Sequence, residues 1–264
     1  MAAPAPSHGF TRVDETARPA DWVECLDRTH REPFYRAYKA RVRQILAPRP
    51  GGLYLEVGSG VGTDALAAGA RVIGLDASLT MCREARARGL AMSVASEAEA
   101  LPLPSGVVDG CWSDRTFQHL ADPRRALAEL IRVMKRGATI VLADPDYGTQ
   151  AMEFPDQPLA RKVMDFRTRH LLRNGALAHR MAEWFAEAGL EHVATEERVL
   201  EVRDPEAMDR VLGLRSWAQT ARERGLLAEA DALRWGTMFD EVVAAGRFRW
   251  SVSFFLTSGR KASG

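Results

Sequence analysis

Cysteine is scarce in this chain: Cys25, Cys82 and Cys111 are the only three among 264 residues. They lie far apart and form no C-x-x-C pair, which argues against zinc ribbons and cysteine-ligated iron–sulfur clusters. Three is also an odd number for a disulfide framework, so a reducing, cytoplasmic setting is expected. An excess of one charge is missing as well. Lys and Arg total 36 against 35 Asp and Glu, for a net charge of +1, and the two signs are mixed along the chain. That leaves no electrostatic footprint for nucleic acid or a membrane surface. Nearly all the basic residues are arginine, which reads as a coding bias rather than as phosphate binding. No run approaches the roughly 18 apolar residues of a membrane span. The opening MAAPAPSHGFTRVDE has neither a basic n-region nor an apolar h-region, so it is read as a disordered leader and not a secretory signal.

A hydrophobic fraction of 46% is present, enough for one large domain with a full core. Residues 20–47 have helical periodicity, with Pro33 expected to divide them into two helices. Beyond a linker at 47–52, short apolar runs alternate with helical patterns. Strands are expected at 53–57, 71–75, 91–95, 107–112 and 139–143, with helices near 62–68, 78–88 and 123–134. Alternation of this kind predicts a doubly wound parallel α/β sheet covered on both faces. After residue 145 the pattern changes. Helices are expected at 155–173, 175–188 and 205–245, a strand at 192–202, and a final β-rich run from residue 250.

The most specific stretch is LYLEVGSGVGT, residues 53–63. A glycine loop that leaves a strand and enters a helix lets a ligand approach the backbone at the carboxyl edge of a sheet. Gly58, Gly60 and Thr63 nearly spell the dinucleotide fingerprint, and Asp76 ends the next strand, where an acid suits a ribose hydroxyl pair. Two details point elsewhere. The third glycine is Gly62, and an acid, Glu56, precedes the loop on the strand itself. A carboxylate there repels a pyrophosphate and favours an amino group or a sulfonium.

LEVGSGVG followed by VIGLDAS resembles the class I S-adenosylmethionine-dependent methyltransferases. The segment ASEAEALPLPSGVVDGCWSDRTFQHLADPRRALAELIRVMKRGATIVLADPD is similar to the rest of that core in the small-molecule branch, the ubiquinone/menaquinone-type and natural-product enzymes. The resemblance covers about residues 50–146. It implies a Rossmann-like seven-stranded sheet with the last strand antiparallel and a mainly helical cap. It implies S-adenosyl-L-methionine as cofactor and a small-molecule acceptor. The implied layout is a leader with cap helices (1–47), a cofactor-binding core (48–146), a cap segment (147–175), a core helix and strand (176–204), a helical cap insertion (205–249) and a last strand with tail (250–264).

The resemblance also implies residue roles. Gly58, Ser59, Gly60 and Gly62 form the turn under the methionine part, and Glu56 organises that loop. Asp76 takes the ribose hydroxyls, with Ala77, Ser78 and Met81 beside it. Glu97 faces the adenine amine, flanked by Ser96 and the Ala98 amide. Ser113, Asp114 and Arg115 pass beneath the methionine moiety. The plainer readings stand beside these: Asp76 as a helix cap, Glu97 as a surface acid, Met81 as core. From Gly58 to Asp76 the spacing is 18 residues, shorter than the resemblance implies, so the first core helix is expected to be about one turn short.

Direct displacement at an activated methyl needs an in-line nucleophile, and a hydroxyl nucleophile also needs a base. His119, in FQHLADP, is the candidate for general base, for substrate positioning, or for simple packing. Asp146 and Tyr147 are secondary candidates expected to face the substrate. DPDYGT at 144–149 lacks the second proline of the amino-methylating D-P-P-Y motif and follows the fifth strand, not the fourth. Asp144 and Asp146 alone are too few to hold a metal. Trp22, Phe34, Tyr35, Phe154, Phe166, Trp217, Trp235 and Phe239 fall in the cap segments and read mostly as core. Arg167, His170 and Arg173 could meet a polar substrate group or form a solvated face. Competing functions are a nicotinamide-dependent oxidoreductase and a non-catalytic cofactor-binding module.

Overall fold

The computed structural model describes residues 9–263. Part of the expected leader, residues 1–8, lies outside that range. Among the described residues the first α-helices are α1 (Pro19–Arg31) and α2 (Pro33–Leu46). Each begins at a proline, whose missing N–H costs nothing in a first turn, and the residue before Pro33 is held extended (Glu32, ψ 134°). The break expected at Pro33 is therefore present.

The core follows as β1 (Leu53–Val57), α3 (Thr63–Leu66), β2 (Arg71–Asp76), α4 (Leu79–Ala87), β3 (Met92–Ala95), β4 (Val108–Asp114), α5 (Pro123–Val133) and β5 (Met134–Met152). At four residues α3 is short, as the Gly58–Asp76 spacing predicted. Side chains cap two of these helices: Ser78 accepts from the Met81 amide at 3.2 Å, and Asp122 accepts from the Arg125 amide at 3.0 Å. Then come α6 (Gln157–Phe166), α7 (Met181–Glu187), β6 (Leu190–Val202), α8 (Pro205–Leu212), α9 (Leu214–Glu223), α10 (Glu229–Ala244) and β7 (Trp250–Lys261).

Seven strands form one sheet in the order β3-β2-β1-β4-β5-β7-β6. β1 to β5 are parallel, and β7 runs antiparallel to both of its neighbours. Strand period two divides the core. Tyr54, Trp112, Val141 and Ala143 face α2 and the cap helices, whereas Leu55, Val57, Cys111, Ile140 and Leu142 face α5 and α7. The order reverses between β1 and β4, which is where an open α/β sheet leaves a crevice.

Several expected boundaries are corrected. β5 extends well past 143 because its far half pairs with β7 rather than β4. Expected helix 155–173 stops at Phe166 and continues as a π-helical turn, Arg167–Leu171. Expected helix 175–188 begins only at the 3-10 turn Ala178–Arg180. The span 205–245 is three helices, parted at Gly213 and Gly225, both in the left-handed region (φ 66° and 71°). Residues 9–15 are not a leader in conformation: they form two 3-10 turns, Gly9–Thr11 and Val13–Glu15, with Val13 buried.

Candidate functional site

A cavity of about 480 Å³ opens over the carboxyl edge of the sheet, from the residues after β3 to Phe254 on β7. That volume suits small molecules. Its floor is the loop after β1. Gly58 sits at φ 72°, and a Cβ there would lie 1.9 Å from Thr116 Oγ1, so no other residue fits. The Gly58 and Ser59 amides donate to the Leu75 carbonyl at 2.8 and 3.0 Å. Gly60 donates to Asp76 Oδ2 at 2.8 Å, and the Ser78 amide donates to Asp76 Oδ1 at 2.9 Å. Asp76 thus braces the loop against the end of β2. Desolvation pushes its carboxyl up, against the pull of the Ser78 and Gly60 amides. Each carboxylate oxygen keeps acceptor capacity for a ligand.

Glu56 is 2% exposed and reaches the cavity wall from β1. Trp112 donates its indole N–H to Glu56 Oε1 at 3.0 Å, while Oε2 is buried without a partner. Burial, then the nearby Asp64 charge, raises the Glu56 carboxyl well above its ordinary range. Beside it runs an ionic cluster that joins α2 to the core. Lys39 bridges Asp64 and Asp114, the latter at 2.7 Å. Tyr38 donates to Asp114 Oδ1 at 2.6 Å, and Arg43 pairs with Asp64 at 3.2 Å.

Toward β3 the wall contains Ala77, Ser78, Met81, Ser96, Glu97 and Ala98. A segment the sequence reading missed covers this end: Phe10 to Glu15 also line the cavity. Asp14 ties it down, accepting from Ser78 Oγ (2.9 Å), the Leu79 amide (2.7 Å) and the Thr80 amide (3.0 Å). These are first-turn donors of α4, which have no intrahelical partner. Nothing in TRVDE distinguishes such a distant cap from any other acid.

On the other side of the glycine loop the wall holds Asp114, Arg115, His119 and Tyr147. His119 ends a 3-10 turn, Phe117–His119, and its carbonyl accepts from Arg173 at 3.4 Å. Tyr147 lies within β5 at a bulge, where pairing jumps from Asp146↔Ser253 to Ala151↔Ser251. The guanidinium of buried Arg167 lies 3.8 Å from its ring centroid. Tyr35, Gln118, Arg173, Leu212 and Phe254 complete this lobe; of these, Arg173 was a candidate for a polar substrate group and Tyr35 was read mostly as core, while Gln118, Leu212 and Phe254 were not singled out. Arg167 backs the wall, Arg173 is part of it, and His170 stacks on Phe166 instead.

Three expected site residues do not reach the cavity wall. Gly62 is the N-cap of α3 at φ 77°, and a Cβ there would meet Ala85 and Leu90, so its role is helix packing. Ser113 is fully buried and donates to the Val57 carbonyl at 2.9 Å, stitching β4 to β1. Asp146, expected to face the substrate, is 1% exposed. It accepts from the Gly148 amide (2.9 Å), the His179 amide (3.1 Å) and His179 Nδ1 (2.5 Å), and so shapes the bulge that presents Tyr147.

Comparison with known proteins separates the two readings of the glycine loop. The family described as "Methyltransferase domain" matches residues 55–142. A 37.1 kDa uncharacterized protein of transposon TN4556 from Streptomyces fradiae is 34% identical over 93% of this chain and 72% of its own length. A malonyl-[acyl-carrier protein] O-methyltransferase of Pseudescherichia vulneris is 33% identical over 48% of this chain, an alignment that spans 50% of that relative. Among solved structures, a phosphoethanolamine N-methyltransferase 2 of Haemonchus contortus with bound S-adenosylhomocysteine superposes with a TM-score of 0.60 at 15% identity. That match covers 97% of this chain and 61% of the other. The residues present also fit S-adenosylmethionine. Glu56 Oε2 is an unmet buried acceptor for a cationic amino group, and Asp76 has acceptor capacity for ribose hydroxyls.

Proposed function

We propose, since the chain belongs to the class I S-adenosylmethionine-dependent methyltransferases, that it methylates a hydroxyl oxygen of a small acceptor and uses His119 as the base. The observation that carries this reading is the make-up of the lobe beyond the glycine loop. His119 there shares a wall with the rings of Tyr35, Tyr147 and Phe254 and with the polar groups of Asp114, Arg115, Gln118 and Arg173, so an imidazole stands among groups that can orient an acceptor. The O-methyltransferase named among the relatives supports oxygen as the acceptor atom.

Bound S-adenosylmethionine supplies an activated methyl group. The chain's own residues do the rest. Asp76, Glu56 and the glycine loop hold the cofactor's polar ends. The aromatic rings orient the acceptor and keep bulk water out. An imidazole nitrogen of His119 takes the proton that the acceptor hydroxyl must give up on methylation. Positioning of this kind and a placed base are the two devices such a reaction needs.

The test is His119→Ala, with S-adenosylhomocysteine binding followed by calorimetry. Turnover is read as S-adenosylhomocysteine release across a panel of phenols and hydroxybenzoates. Binding should stay within about twofold, while turnover falls by roughly 10²–10⁴-fold and loses its rise with pH. A loss below about fivefold removes the base assignment. Loss of binding, or of the fold, returns His119 to a packing role.

A further inference from the structure

Arg115 is unusual three times over. Among the described residues it is one of three non-glycine residues at positive φ, at 53°, a conformation costly for a long side chain and common at functional sites. The Arg115 amide donates to the Ala143 carbonyl at 2.7 Å, so β5 holds the strain in place. Its guanidinium stands in the cavity wall, yet its one hydrogen bond to another side chain among the described residues is Nε to Asp114 Oδ2 at 3.4 Å. Asp114 is already engaged by Tyr38 at 2.6 Å and Lys39 at 2.7 Å. The terminal N–H groups of Arg115 make no hydrogen bond within the described residues.

The local charges do not balance. Lys39, Arg43 and Arg115 face Asp64 and Asp114. The two further buried acids, Glu56 and Asp144, are both pushed toward their uncharged forms, by burial first. One positive charge is left over in a wall that also carries the Tyr35, Tyr147 and Phe254 rings, while the exposed Arg173 in the same wall donates to the His119 carbonyl. The Arg115 guanidinium lies 4.9 Å from the Tyr35 ring centroid, and Tyr35 packs on Phe254 at 5.9 Å. Arg115 leaves β4 on the side of β5 and β7, away from the β2 and β3 edge where Asp76 and Glu97 sit.

On these grounds we infer that Arg115 is a specificity residue that selects an aromatic acceptor carrying a carboxylate. This deepens the proposed O-methylation and rests on that reading for the word acceptor. A planar guanidinium with free paired N–H groups matches a carboxylate in a bidentate fork, and the flanking rings match an aromatic body. The carboxylate cancels the surplus charge in a site of low dielectric, where an unpaired cation is costly. A cationic methyl donor in the same cavity adds to the attraction.

The same guanidinium could instead take the carboxylate of the cofactor's own methionine end, and the experiment separates these sources. 4-Hydroxybenzoate and its neutral isostere 4-hydroxybenzamide are titrated by calorimetry into the S-adenosylhomocysteine complex. The acid should bind at least about tenfold more tightly, as charge-assisted pairing outweighs a neutral contact. Arg115→Met should abolish the difference, and Arg115→Lys should keep the fold and part of the preference, because an ammonium lacks the fork. In parallel, S-adenosylhomocysteine and 5′-methylthioadenosine, which has no amino-acid end, are titrated into each variant. Neither should change by more than about twofold. No preference in the wild type, or a preference kept by Arg115→Lys in full, overturns the inference. So does a loss of S-adenosylhomocysteine affinity with methylthioadenosine unaffected. Should Arg115→Met fail to fold, the lysine variant alone decides. His119→Ala is expected to leave the acid preference intact, so failure of the base assignment is seen separately.

Discussion

Trp112 holds one oxygen of Glu56 at 3.0 Å and leaves the other buried and unpaired at the edge of the cavity. A lone buried acceptor is costly, and a cationic amino group offers the strongest relief.

Glu56→Gln should therefore weaken S-adenosylhomocysteine by about 1.5–3 kcal/mol, the worth of a charged hydrogen bond. It should leave 5′-methylthioadenosine nearly unchanged. The pH dependence follows from direction. Burial, then Asp64, raises the carboxyl in the free protein, so its proton must leave before it pairs with a cation. Wild-type affinity should rise with pH through that raised value, and the rise should vanish in the variant. A pH-independent wild-type dissociation constant would contradict this.

Asp76→Ala removes a brace as well as a ligand, because Gly60 and Ser78 both donate to it. Calorimetry should show cofactor product weakened by about 1–3 kcal/mol. Methylthioadenosine should suffer equally, since the loss lies at the ribose end. Equal wild-type and variant affinities in a folded protein would leave Asp76 a cap only.

Asp14→Ala should free the covering segment 10–15 from the first turn of α4. Amide exchange at Leu79 and Thr80 should speed up, and S-adenosylhomocysteine should dissociate faster, with the melting temperature little changed. Desolvation pushes the Asp14 carboxyl up, but hydrogen bonds from Thr80, Ser78 and Leu79 hold it below the ordinary value. A depressed acid stabilises the folded form above its unfolded pKa and loses that effect as pH falls through the folded one. The segment should accordingly open at acid pH. Unaltered exchange at Leu79 in the variant would refute the tether.

Lys39→Met should cost stability, because two buried acids lose a shared cation. Breaking a buried pair from one side costs about 3–5 kcal/mol. Although burial opposes it, Lys39 is the leading cause that depresses both Asp64 and Asp114. Their stabilisation is complete above the unfolded carboxylate pKa and disappears as pH falls below it toward the folded values. Denaturant unfolding should show a wild-type advantage at neutral pH that shrinks on acidification. A constant gap would place the effect in packing instead.

What the sequence alone determined was the core and the cofactor. Strand and helix periods, a glycine at the one position where a Cβ would strike Thr116, and acids at strand ends are local signals, written in consecutive residues. They led to the sheet, to Glu56 and to Asp76. Tertiary structure decided what depends on contacts across long separations. Asp14 reaches α4 from 64 to 66 residues away, and Lys39 joins α2 to acids on α3 and β4. Asp146 and Tyr147 are neighbours in the chain, and strand alternation alone sends them to opposite faces. Yet only the β5 bulge and His179 turn Asp146 inward while Tyr147 meets the cavity. Arg115 is one more arginine in a chain full of them until the fold sets it at positive φ beside Tyr35 with its terminal N–H groups unspent among the described residues. Period and spacing encode which face a residue takes, whereas its partners are set by how distant segments pack.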